Sequence, residues 1–131
     1  MEISISWVAV LVAAISTFVL GGLWYSVLFA KPWQRLAGVS DEQLNTGSAR
    51  IFGVSFVLAV VMAVVLAAFI GRAGFAFGLF AGLAVGLGWV ATSLGMIALF
   101  ERRPFAHWAV NAGYAVVTYT VMGAIIGAMQ A

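Results

Sequence analysis

Apolar residues run in four long stretches, at 5–29, 51–70, 75–100 and 105–129, and polar residues gather in the gaps between them. Each stretch reaches the roughly 20 residues that an α-helix needs to cross about 30 Å of hydrocarbon. Backbone amides find no water in lipid, so each stretch predicts a helix that satisfies its own hydrogen bonds. Two gaps are short. GRAG (71–74) predicts a tight glycine turn, and ERRP (101–104) another, with Pro104 suited to the first helical position. The gap at 30–50 has room for structure of its own. Pro32 can open a turn that Gly38 closes, and Ser40 with Gln43 fits the capping box of a short helix. Trp33, Leu36, Val39 and Leu44 would lay that segment along the membrane interface. The pattern predicts an all-α polytopic membrane protein, residues 1–131 forming one domain of four transmembrane helices in a compact bundle.

Composition strengthens this reading. The chain has 131 residues, 65% hydrophobic and only 8% charged, too little charge to clothe a soluble domain of this size. There is no cysteine, which excludes disulfides, thiol chemistry and cysteine-based metal sites. The N-terminal MEISISW starts with an acid and leads into a stretch too long for a cleavable signal, so the first span is expected to be retained. Basic residues then set orientation. Lys31, Arg35 and Arg50 fall in the first gap, Arg102 and Arg103 in the third, and Arg72 alone in the second. By the positive-inside rule the first and third gaps face the cytoplasm of a bacterial inner membrane, with both termini outside. So strong a bias argues against insertion in both orientations. No basic run suits nucleic acid.

The two halves look related. VLFAKPW closes the first span and ALFERRPF the third, and 59–71 aligns without gaps to 115–127, with identities at 59, 60, 61, 65, 68, 70 and 71. Such a match predicts a bundle built from two related helical hairpins in parallel orientation. Small residues recur every four positions: Gly74, Gly78, Gly82 and Gly86 in the third span; Ser55, Ala59, Ala63, Ala67 and Gly71 in the second; Gly123 and Gly127 in the fourth. Lipid offers helices little hydrophobic drive to associate, so close approach at small residues is the expected means of packing. A glycine-zipper face of this kind could instead line an oligomer interface or a substrate path; the chain is expected to form homo-oligomers, and such a face could also dock another membrane protein.

Polarity inside the membrane is concentrated in FERRPFAHWAVNAGY (100–114). His107, Asn111, Tyr114 and Thr118 are spaced at intervals of four, three and four, so they share one helix face. They reach from the headgroups to a depth of about 20 Å. Such a stripe belongs against other helices rather than lipid. It is either hydrogen-bonding glue toward the first and third spans or the lining of a cleft open to the cytoplasm. Trp89 lies about 16 Å deep counted from Phe100, and its indole N–H is expected to meet Asn111 or Tyr114. Trp24, Tyr25, Trp33 and Trp108 fit an aromatic belt at the interface. Glu101 is expected to pair with Arg50 or Lys31.

Catalytic chemistry finds no foothold. No carboxylate pair lies within the spans, no nucleophile–base spacing occurs, and His107 has no second histidine beside it, so neither metal nor cofactor is expected. Small multidrug exporters share the four-span outline, but they need a carboxylate in the first helix, where this chain has Ser16 and Thr17.

The runs LGGLWYSVLFAKPW (20–33), FERRPFAHWAVNAGY and VMGAIIG (121–127) resemble a widespread bacterial family of short four-span proteins, catalogued only as a domain of unknown function. The shared marks are Leu23 to Ser26, Lys31 with Trp33, Phe100 to Pro104 and Asn111 to Tyr114. Val27 stands where many relatives carry proline. The resemblance implies a four-helix inner-membrane protein and supplies no activity. The expected function is non-enzymatic: a module that binds a lipid-like or small amphipathic molecule or lets it pass. The alternative is a structural or accessory subunit. A concave cleft beside the stripe would mark the first, and a stripe filled by the protein's own side chains the second.

Overall fold

A computed structural model describes residues 5–28 and 48–131. The expected turn at Pro32, the capping box at Ser40 and the interfacial residues Lys31, Trp33 and Arg35 lie outside the described residues. Helix α1 (Trp7–Gly22) runs on into a wider π-helical stretch, Leu23–Leu28. Helix α2 is Ser48–Ile70. The third span is α3 (Phe75–Val85), a second π-helical stretch (Gly86–Ala91) and α4 (Thr92–Phe100). Helix α5, Phe105–Gln130, is the fourth span. Among the described residues every element is helical, and four segments are long and apolar enough to cross a membrane: Trp7–Tyr25, Ala49–Ile70, Phe75–Phe100 and Phe105–Gln130.

Local chemistry sets the ends. The Ser6 hydroxyl accepts from the Ala9 N–H at 3.2 Å and caps α1. Gly71 and Gly74 take positive φ (55° and 103°), the conformation that lets GRAG reverse the chain in four residues. The turn after α4 is less forgiving. Arg103 N–H donates to Ala98 O at 2.9 Å and Arg102 N–H to Leu99 O at 3.1 Å, a Schellman closure whose left-handed position falls on Arg102 (φ 58°). Glycine is the usual occupant there; a side chain costs about 1–2 kcal/mol. Pro104 sits one position earlier than expected, as the N-cap of α5 in extended geometry, with Phe105 the first helical residue.

The fourth span packs against all three others, most extensively against the third and the first, while α2 packs on α1 and α5. The core lies toward the GRAG end, where Ala9, Val10, Ala13, Ala63, Leu66, Ala67, Ile70, Met122 and Ile126 meet. Ala59 is buried with Ala63 and Ala67 on the same face of α2. Between α3 and α5 the backbones nearly touch. A methyl group added at Gly78 would strike the Gly123 carbonyl, one at Gly82 the Tyr119 carbonyl, and one at Gly123 the Gly78 carbonyl. At Gly86 it would lie 3.0 Å from Ala115 O, and at Gly127 it would meet Gly74 O. Gly74 itself faces open space, so its part is the positive φ and the carbonyl it offers.

Candidate functional site

The polar stripe of α5 faces the basic end of the first span. Asn111 stands at its centre. Its Oδ1 accepts from the Tyr25 hydroxyl at 2.7 Å, which leaves Nδ2 facing His107 Nε2 at 3.3 Å. His107 Nδ1 is buried with no partner among the described residues. One turn further along α5, the Tyr114 hydroxyl donates to Thr17 O at 2.8 Å and its ring tilts against Tyr25 with centroids 5.1 Å apart. Thr17 spends its own hydroxyl on Ala14 O. Thr118, 1% exposed, lies deepest. Its hydroxyl meets no partner with hydrogen-bond geometry among the described residues.

Close packing fills the rest of this contact. Trp24 donates its indole N–H to Val110 O at 2.8 Å and lies across Gly113, where a methyl group would come within 2.8 Å of the indole ring. Tyr114 lies over Gly21 in the same way, at 3.4 Å. Trp24 and Tyr25 both belong to the π-helical stretch Leu23–Leu28, whose wider turn lets two consecutive aromatic residues reach the same neighbour. His107, Asn111 and Tyr114 are therefore brought together with Thr17, Trp24 and Tyr25 of the first span.

Other expectations are corrected. Trp89 does not join the stripe: it is 69% exposed, on the outward side of the third span, away from Asn111 and Tyr114. Trp108, placed with the aromatic belt, donates to Ala91 O at 2.9 Å and ties α5 to the second π-helical stretch. Glu101 pairs with neighbouring Arg103 at 3.8 Å, not with Arg50. The expected alternative, Lys31, lies outside the described residues. Arg50, Glu101, Arg102 and Arg103 do share one end of the bundle, since α2 starts where α4 stops.

Sequence reasoning missed Gln130, which is buried at the opposite end. Its Oε1 accepts from Ser6 N–H at 2.7 Å, and its Nε2 donates to Ala67 O at 3.2 Å and Gly71 O at 2.9 Å. The one available signal was an amide at the end of an apolar span.

A family profile described as "Protein of unknown function (DUF1761)" matches residues 8–127, a stretch that takes in the polar stripe and its partners Thr17, Trp24 and Tyr25. No curated protein and no solved structure matches the chain.

Proposed function

The chain belongs to the DUF1761 family of proteins of unknown function, and from that premise we propose that it is a non-enzymatic structural or accessory protein of the bacterial inner membrane. The supporting observation is the fate of the stripe: Asn111 and Tyr114 are spent on Tyr25 and Thr17, and Trp24 covers Gly113. Polar groups that would line a passage or perform chemistry act here as a lock between two helices. Interhelical hydrogen bonds in membranes are individually modest, so three in register with close packing make a better clamp than a catalytic site.

The seam of Gly78, Gly82, Gly123 and Gly127 is likewise spent within one protomer. A partner, a second copy included, would meet outward faces such as that of the third span rather than the glycines.

Single cysteines at Asn111, Tyr114 and Thr118, in this cysteine-free chain, test the lock. All three are expected to resist a polar thiol reagent added from the cytoplasmic side, with Asn111 the least protected. Strong labelling that falls off from Asn111 to Thr118 in folded protein would restore the cleft and sink this reading.

A further inference from the structure

The second π-helical stretch, Gly86–Ala91, turns one side to the fourth span and the other outward. The inner side is filled: Gly86 lies against Ala115 and Val116, and Ala91 O accepts from Trp108. On the outer side stand Gly88 and Trp89. Trp89 is 69% exposed and lies about 16 Å from Phe100 and about 21 Å from Phe75, near the middle of its span instead of in an interfacial belt. Trp24 and Trp108 each donate to a carbonyl of a neighbouring span. Among the described residues the Trp89 indole meets no acceptor, and acyl chains at that depth carry none.

Beside the projecting ring the backbone is bare. A methyl group added at Gly88 would meet nothing within 4 Å, so an exposed notch adjoins an exposed knob. Thr92 and Ser93, also exposed, follow one turn on. Thr92 donates its hydroxyl to Gly88 O at 2.8 Å, and Ser93 donates to Trp89 O at 2.6 Å. Their protons are thereby spent, and both oxygens keep lone pairs for a donor that arrives from outside. Knob, notch, donor and acceptors all fall within residues 88–93.

We propose that this stretch is the interface of a homodimer formed through the third span. A second copy inserted the same way round presents Trp89 at the same depth. A two-fold axis along the membrane normal then makes the contact isologous, and every feature serves twice. The indole of each copy covers the Gly88 notch of the other, and its N–H finds a Thr92 or Ser93 oxygen there. Glycine lets the two backbones approach closely enough for both contacts. A different membrane protein would have to bring its own notch and acceptors to this depth, whereas the chain already carries both halves of the match. The proposal gives the structural reading a partner and rests on it. It uses none of the residues of the lock, so labelling at Asn111 tests that reading and stoichiometry tests this one.

Subunit counting by single-molecule photobleaching in lipid bilayers, over a range of protein-to-lipid ratios, is the test. The parent is expected to pass from monomer to dimer and no further. Trp89→Phe keeps a ring and removes the donor, and is expected to weaken the dimer about threefold, the worth of one hydrogen bond in a membrane. Gly88→Leu fills the notch and is expected to leave monomers at every ratio. Val57→Leu, exposed at similar depth on α2, is expected to match the parent. Should Gly88→Leu fold poorly, the comparison of Trp89→Phe with Val57→Leu still decides. A parent that stays monomeric or grows beyond a dimer, a dimer that Trp89→Phe or Gly88→Leu leaves intact, an equal loss from Val57→Leu, or recovery from native membranes as one copy bound to a different protein would each overturn the proposal.

Discussion

The Gln130 carboxamide reaches three backbone groups contributed by the first and second spans. Transmembrane hydrogen bonds average about 0.6 kcal/mol and peak near 1.7, so Gln130→Leu is expected to cost about 2 kcal/mol. Unfolding in mixed micelles measures that, and an unchanged midpoint would refute the clamp. Its partners are backbone atoms, which leave no trace in a pattern of side chains, and it stands one residue past the predicted end of the span. The stripe was easier to read, because His107, Asn111, Tyr114 and Thr118 advertise a shared face by their spacing. Their chief partners, Tyr25 and Thr17, lie more than 80 residues away in sequence and carry no matching periodicity. Trp89 and Trp108 show the same limit. Depth comes from counting along a helix, but direction depends on rotation. A π-helical stretch holding one extra residue rotates the rest of its helix by about 100°.

At the scale of elements, each π-helical stretch is tied to the fourth span by one indole: Trp24 reaches out from the first, and Trp108 reaches into the second at Ala91. Helix existence was legible because lipid forces it; these local widenings were not, since they depend on how aromatic side chains fit between neighbours. The seam between α3 and α5 was half legible. Glycines at intervals of four announced close approach, though not which helix approaches. Gly82→Leu is expected to force α3 off α5, lowering folded yield and melting temperature, whereas Ala84→Leu, on the exposed side of the same helix, should behave like the parent. Equal behaviour of the two variants in detergent melts would show that the seam does not hold the helices together. The aligned stretches 59–71 and 115–127 carry burial at matching places, Ala59 with Ala115, Leu66 with Met122, Ala67 with Gly123 and Ile70 with Ile126.

For the whole molecule, charge and topology argue together. Arg50, Arg102 and Arg103 share one end, and Arg72 lies at the other. Tags on either terminus are therefore expected to be reached only from outside the cell, and a tag inserted near Gly47 only from the cytoplasm; the reverse labelling in intact cells would overturn the orientation. The order of assembly is written into the same arrangement. The fourth span leaves the ribosome after the other three, yet it supplies the surface on which the third packs and the amide that joins the first to the second. Until it enters the membrane, Asn111's partners and the glycines of α3 wait in lipid with nothing to close upon. A stalled nascent chain lacking the fourth span would thus leave the third helix without its packing surface and the first and second held only by their direct contact, open to membrane proteases, and entry of the fourth span would be the event that makes the protein resistant.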